Sequence, residues 1–344
     1  MKKRISVLVA AVLAIGCLAT GCGNGAAGGE VKVGLGAHTD FAYGSHSIGD
    51  TVYGKEVTET TAQADIHIAT VMLDADGKIV KCVIDAVQVA AKVDANGALI
   101  TDVTAATFQT KKELKEGYNM KGSSPIGKEW YEQAQAFESW CVGKTVDEIK
   151  NMGLAEGKPT DSMLLAGCTI KVNAIQQAVI RACEGAKWTG ASANDTLGLG
   201  VTAELTSAAN ATADANGKVQ AYVNYAATAK NTEGKITCVV IDSIQANSTW
   251  DATGKLTTDM SAEKEPISKY NKQYDYNMKP SSAIGKEWFE QIDVFKQFIT
   301  GMTADQVAAI AVGDDQKPTD TTLTTGCTMK ITAYKTAVAK ALAN

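Results

Sequence analysis

The sequence predicts an α+β fold made twice over: two tandem homologous domains, each a small antiparallel sheet packed with about three helices. Three observations lead there. Residues 118–133, YNMKGSSPIGKEWYEQ, return as YNMKPSSAIGKEWFEQ at 276–291, with thirteen of sixteen positions identical and an offset of 158 residues. Ahead of each copy lie strand-like apolar runs joined by turns that end in glycine. Within and after each copy, apolar residues recur at helical spacing. A residue present at the same place in both copies therefore carries more weight than one present in a single copy.

The chain opens with Lys2, Lys3 and Arg4, an apolar run over 5–19, and then Thr20, Gly21 and Cys22, the plan of a secretory signal rather than a spanning helix. Residues 18–22 (LATGC) resemble a bacterial lipobox, in which Cys22 takes a lipid and the signal peptide, residues 1–21, is removed. Cys17 is the less favoured acceptor, and an ordinary cleaved signal that leaves Cys22 as a thiol is the alternative. Residues 22–30 then form a flexible tether. The expected location is the extracytoplasmic face of a bacterial membrane, held by the lipid on Cys22.

Loss of Lys2, Lys3 and Arg4 takes the formal net charge from −5 to −8. Such an acidic chain lacks the basic footprint that a phosphate backbone demands, so nucleic acid is excluded as a partner. Six cysteines remain beyond the signal and tether: Cys82, Cys141, Cys168, Cys183, Cys238 and Cys327. Only Cys168 and Cys327 correspond between the copies, which argues against a repeated disulfide framework. His38, His46 and His67 all lie in the first copy and lack metal-ligand spacing, so no metal is expected.

Domain 1 is expected over 31–186 and domain 2 over 197–344, with 187–196 as the linker. Each begins on a glycine-flanked apolar segment, 31–36 or 197–200, and in domain 1 a loop follows over about 37–50. The paired Gly34/Gly36 and Gly198/Gly200 lack the rest of a dinucleotide fingerprint. Hairpins are expected from strands at 64–73 and 79–87, and at 221–228 and 236–244, with further turns at 94–97 and 251–254. Asp85 and Asp242 sit inside these apolar strands, and bonding to nearby backbone is favoured over ligand binding.

The repeated stretch should begin a helix, with Ser124 and Ser282 as N-caps and Pro125 at its first position. Ile126, Trp130, Ala134, Phe137 and Cys141, and likewise Ile284, Trp288, Ile292, Phe295 and Ile299, fall on one core face. Gly143 and Gly301 end this helix, and Thr145 with Glu148, and Thr303 with Gln306, form capping boxes for the next. Each copy closes with Lys-Pro-Thr-Asp, Gly-Cys-Thr, a short β-branched run and a helix capped by Asn173 or Thr332.

No Ser-His-Asp or Cys-His set occurs in both copies, so a redox carrier or a binding protein fits better than a hydrolase. Two paired features remain. Lys121, Ser123, Ser124, Gly127 and Lys128, with Lys279, Ser281, Ser282, Gly285 and Lys286, surround a helix start where N–H and ammonium groups can hold an anion. A well-capped structural helix is the alternative reading. The second feature is Ala166, Gly167, Cys168 and Thr169, with Thr325, Gly326, Cys327 and Thr328, each threonine eight residues after a matched aspartate, Asp161 or Asp320.

At these residues the chain resembles the bacterial extracytoplasmic FMN-binding domain family, found in electron-transfer subunits and flavin-bearing lipoproteins. That family carries an aspartate, then Ser/Thr-Gly-Ala-Thr, then a helix. The resemblance covers the turn-flanked strands near Gly77 and Gly234 and the closing motif, but not the tryptophan helix. Cys168 and Cys327 stand where the family has alanine, and Ala166 where it has Ser or Thr. The resemblance implies a membrane-anchored lipoprotein with tandem FMN-binding-like domains that transfers electrons to redox partner proteins. It also implies FMN esterified at Thr169 and Thr328, with Gly167 and Gly326 giving its phosphate room, and Lys121 and Lys279 are where a second contact is expected. The alternative is a non-enzymatic cell-surface lipoprotein that binds a small ligand or a protein partner and keeps the motif as scaffold.

Overall fold

The computed structural model describes residues 29–261 and 264–343; the lipobox, Cys22 and most of the tether lie outside the described residues. The chain begins with β1 (Glu30–Asp40), a two-residue hairpin of β2 (Thr51–Val52) and β3 (Lys55–Glu56), β4 (Thr60–Leu73) and β5 (Ile79–Val93). It continues through α1 (Lys111–Leu114), α2 (Trp130–Cys141), α3 (Val146–Lys150), the small hairpin β6 (Leu154–Ala155) and β7 (Lys158–Pro159), α4 (Ser162–Leu165) and α5 (Asn173–Glu184). After β8 (Lys187–Ser192) the order of the main elements returns. It runs β9 (Thr196–Ala209), β10 (Gly217–Lys230), β11 (Ile236–Trp250), α6 (Lys269–Lys272), α7 (Trp288–Ile299), α8 (Ala304–Ala308), α9 (Thr321–Thr324) and α10 (Thr332–Ala343). The protein is an α+β fold with antiparallel sheets, as expected.

Two sheets, ordered β5-β4-β1-β8 and β11-β10-β9, pack face to face. Ile66, Ile68, Val87 and Val89 of the first meet Val201, Leu205, Val223 and Ile244 of the second. The outer face of the first sheet is covered by α2 and α5, with Phe137 and Ile175 over Val71 and Ile84; that of the second by α7 and α10, with Phe295 and Val338 over Ile236 and Ile241. The layers are thus helix, sheet, sheet, helix. This accounts for the weak alternation in the strands: β4 turns Ile66 and Ile68 to the other sheet and Ala69 and Val71 to the helices, so both faces are apolar.

The paired glycines serve this packing. A Cβ on Gly34 would lie 1.8 Å from the Ala182 carbonyl oxygen, and one on Gly198 equally close to that of Ala341. The G-x-G pattern therefore lets α5 and α10 rest their backbones on β1 and β9, a use of glycine that needs no nucleotide. The turns at 94–97 and 251–254 interlock across the two halves: Trp250 Nε1 donates to the Gly97 carbonyl at 2.9 Å, and the Thr60 hydroxyl donates to the Gly254 carbonyl.

Four local expectations are corrected. Residues 187–196 are not merely a linker, because β8 adds a strand to the free edge of β1, with Val33 opposite Lys187. Residues 37–40 belong to β1 rather than to a loop. The long helices begin at Trp130 and Trp288, not at Ser124 and Ser282. Glu129 and Glu287 are the N-caps, each boxed by a glutamate three residues on, and Gly127 and Gly285 turn the chain at φ 60° and 62° just before. Asn173 and Thr332 are the first helical residues of α5 and α10, and the β-branched run before each helix forms no strand. The Thr145–Glu148 and Thr303–Gln306 capping boxes are present as expected.

Candidate functional site

The two repeated motifs meet at one corner in each half, joined by a glutamine. Buried Gln133 in α2 accepts from the Thr169 N–H at 2.8 Å and from its hydroxyl at 3.2 Å, and donates to the Ser124 hydroxyl at 3.0 Å and the Lys128 carbonyl at 3.1 Å. Gln291 repeats the set with Thr328 (2.9 and 3.4 Å), Ser282 (2.9 Å) and Lys286 (3.1 Å). Ser124 and Ser282 thus bind a side chain and fasten the corner instead of capping a helix. Asp161 and Asp320 cap α4 and α9 through the backbone N–H groups of Met163 and Leu164, and of Thr322 and Leu323.

Thr169 and Thr328 are half-buried, whereas Cys168 and Cys327 are fully enclosed in the core, with burial pushing each thiol up to about 11. A Cβ on Gly167 would strike the Ala136 side chain at 2.7 Å, and one on Gly326 would strike Val294 at 2.8 Å. These glycines therefore admit the long helix. Lys121 and Lys279 are exposed on short 3-10 turns whose backbone N–H groups bind Glu129 and Glu287. The ammonium group beside Gly167 is that of Lys128, 3.9 Å from that same Cβ position. A half-buried threonine hydroxyl and the Lys128 ammonium near Gly167 are the groups at this corner that could hold a phosphate.

A second paired feature escaped the sequence reading. Lys111 and Lys269, 158 residues apart, are only 3% and 4% exposed. Lys111 Nζ stands 5.5, 5.3 and 5.4 Å from the ring centres of Tyr43, Tyr118 and Trp130, and 3.1 Å from the Asp65 carboxylate. Lys269 Nζ stands 4.3, 4.6 and 5.7 Å from Tyr222, Tyr276 and Trp288, and donates to the Tyr222 hydroxyl at 2.7 Å. Tyr118 and Trp130, with Tyr276 and Trp288, come from the repeated stretch, so that stretch walls a cationic cage. Burial lowers Lys269 to about 7.

Asp85 and Asp242 hold the caged lysines in place. Asp85 accepts from the Ala86 and Lys112 N–H groups, and Asp242 from those of Ser243 and Tyr270, which pins the start of α1 and of α6. Burial raises both carboxyls to about 6. The backbone role favoured from sequence is the one observed.

The third feature is a cleft of ≈ 770 Å³ on the seam between the halves, walled by β1, α5 and β8 on one side and β11, α6 and α7 on the other. Arg181 clamps Glu265 across it with bonds of 2.5 and 2.8 Å, and Glu265 also takes His38 Nδ1 at 3.0 Å and the Thr39 N–H at 2.7 Å. Burial alone would raise the Glu265 carboxyl, but the bonds from His38 and Arg181 hold it down at about 2. His67, opposite His38 on β4, is lowered by burial to about 4. Among the described residues no group of three or more His, Cys, Asp or Glu is placed to hold a metal ion, and no helix is long and apolar enough to cross a membrane.

The chain is similar to a chlorophenol reductase of Desulfitobacterium hafniense, at 35% identity over 99 residues. That match takes in 25% of this chain and 30% of the reductase, so the chain matches less than a third of its relative's length. No family model and no solved structure matches the sequence.

Proposed function

We propose that the protein is an extracytoplasmic lipoprotein, anchored through Cys22, that carries FMN on Thr169 and Thr328 and exchanges electrons with redox partner proteins. The observation that carries this reading is the repeated corner. In each half a half-buried threonine hydroxyl, preceded by Gly-Cys, is oriented by a buried glutamine that binds both its hydroxyl and its N–H. The partial similarity to a reductase supports a redox role.

Thr169 and Thr328 would hold the flavin phosphate, with Lys128 offering a positive charge beside the first. FMN, when bound, supplies reversible electron and hydride transfer at its ring, while the protein positions it and sets its surroundings. Gln133 and Gln291 accept from the hydroxyl of the free threonine and from its N–H, and the N–H bond persists once the oxygen is esterified, so they are positioning residues. The α2 and α7 helices that bear them also carry Trp130 and Trp288, which ties each corner rigidly to its lysine cage.

Co-expression with a flavin transferase and purification from membranes should give a yellow protein whose mass exceeds that of the lipidated chain by two flavin groups. Thr169→Ala and Thr328→Ala should each remove one of them, and Cys22→Ala should release the protein from the membrane fraction. A colourless product of unmodified mass would sink the flavin reading and leave a ligand- or partner-binding lipoprotein.

A further inference from the structure

Three cysteines of the first half stand where the second half has aliphatic side chains. Cys82 in β5, Cys141 at the end of α2 and Cys183 in α5 all lie in the core between the first sheet and its helices. Strand register and helix starts match them to Val239, Ile299 and Leu342, which lie in the corresponding core of the second half. Aliphatic residues thus satisfy the packing at these places. None of the three thiols belongs to the threonine corner, the lysine cage or the cleft.

The backbone sets two of the three against each other. The Ile79 N–H donates to the Lys144 carbonyl at 2.8 Å, the Gly143 N–H donates to the Ile79 carbonyl at 2.7 Å, and the Ile84 N–H donates to the Glu138 carboxylate at 2.6 Å. The start of β5 and the end of α2 therefore pass each other in opposite directions, and Cys82 and Cys141 both fall between these fastenings. Their side chains are joined by a hydrogen bond. Cys141 is completely enclosed and Cys82 is 8% exposed. In the second half Ile236 makes the same backbone bonds with Met302 and Gly301, at 2.9 and 2.8 Å, and Val239 and Ile299 hold the two facing places. The fold brings these positions together in both halves, but only the first supplies two thiols.

We propose that Cys82 and Cys141 form a disulfide, a covalent tie confined to the first half, with Cys183 left as a thiol. The oxidant is a disulfide-bearing thiol compound or oxidoreductase. One cysteine attacks it as the thiolate and forms a mixed disulfide, the second cysteine displaces the carrier, and the oxidant leaves as two thiols holding the two electrons and two protons that the cysteines give up. Hydrogen bonding to Cys141 and burial push the Cys82 thiol well above its ordinary value, so the exchange belongs to folding, before the core closes. The two cysteines are 59 residues apart in the sequence, so the bond shortens the freedom of a long unfolded loop. It also fastens α2, which carries Gln133 and Trp130, to the sheet. The pairing rests on the fold and not on flavin or export, so a colourless protein leaves it standing.

The test refolds the reduced full chain in a buffer of reduced and oxidised glutathione, alkylates the remaining thiols in denaturant, and maps the peptides by mass spectrometry. The expected product is one peptide pair linked through Cys82 and Cys141, with Cys168, Cys183, Cys238 and Cys327 alkylated. The oxidised protein should also unfold at higher urea than the same protein refolded with reductant. Cys82→Val and Cys141→Ile, which copy the second half and keep the core filled, should each abolish that difference in midpoint, whereas Cys183→Leu should retain it. Cys82 recovered alkylated, or linked to any cysteine other than Cys141, overturns the proposal, as does a midpoint difference that survives Cys141→Ile. Should a variant misfold, the peptide map of the unaltered chain decides alone.

Discussion

The two lysine cages use the same three kinds of wall yet settle their buried charge differently. Asp65 and Tyr222 occupy the same place in the sheet, opposite Gln88 and Gln245. In the first half that place holds a carboxylate 3.1 Å from the ammonium group, with Gln88 also donating to it at 3.2 Å. In the second it holds a phenol, itself bonded at 2.8 Å to Tyr334, which takes the Trp288 N–H at 2.9 Å. One cage is an ion pair among rings. The other is a chain of neutral hydroxyls ending on an amine. Aromatic faces can host an ammonium group, but without a counter-ion the burial lowers Lys269 to about 7.

The largest expected effect separates the cages by removing their polar partners. Asp65→Ala strands a buried cation and should cost about 3–5 kcal/mol of unfolding free energy. Tyr222→Phe removes one neutral partner and should cost about 1 kcal/mol. Urea titration of both variants checks this, and equal losses would mean the cages do not differ in kind.

The next test is pH. Lys269 has an ordinary value of 10.5 and a folded value of about 7, so between those limits the unfolded chain binds more protons and stability rises with pH. The slope from this one group reaches at most about 1.4 kcal/mol per pH unit. Asp85 and Asp242 act in the opposite sense: raised from 3.8 to about 6, they favour folding below 3.8 and lose that contribution as pH climbs through 6. Stability at constant ionic strength should therefore dip near pH 6–7. Tyr222→Asp, which copies the first cage into the second, should flatten the alkaline rise, and Lys269→Met should abolish it.

The smallest effect concerns likeness. Gln133→Ala and Gln291→Ala break identical sets of bonds, so each should cost about 1–3 kcal/mol, and the two values should agree within about 0.5 kcal/mol. A clear inequality would show that the corners are not equivalent.

Much of this was legible because local chemistry was sufficient. The Asp-to-Gly turns, the Thr145 and Thr303 capping boxes, and the core face through Trp130, Phe137 and Cys141 all depend on residues close in sequence. The helix start was misread because Ser124 and Pro125 imitate a cap, while Glu129 and Glu132 form an acidic one. The strand in β8 was missed because its pairing partner on β1 lies more than 150 residues earlier. Lys111 and Lys269 were overlooked because lysine ordinarily reads as solvated. Their 158-residue offset, the same as that of the repeated stretch, was the available signal.

The core between the sheets has a consequence for how the chain must be made. Half of that core comes from residues beyond 196, so the inner face of the first sheet, with Ile66, Ile68, Val87 and Val89, has nothing to cover it until the rest of the polypeptide arrives. The remaining stretch, 185–344, is 160 residues. At about 5–20 residues per second, ribosomal synthesis leaves that apolar face bare for roughly 8–30 s. Export of the kind proposed would be served by a chain that stays unfolded until both halves have crossed, since a first half folded early would present a ready surface for aggregation.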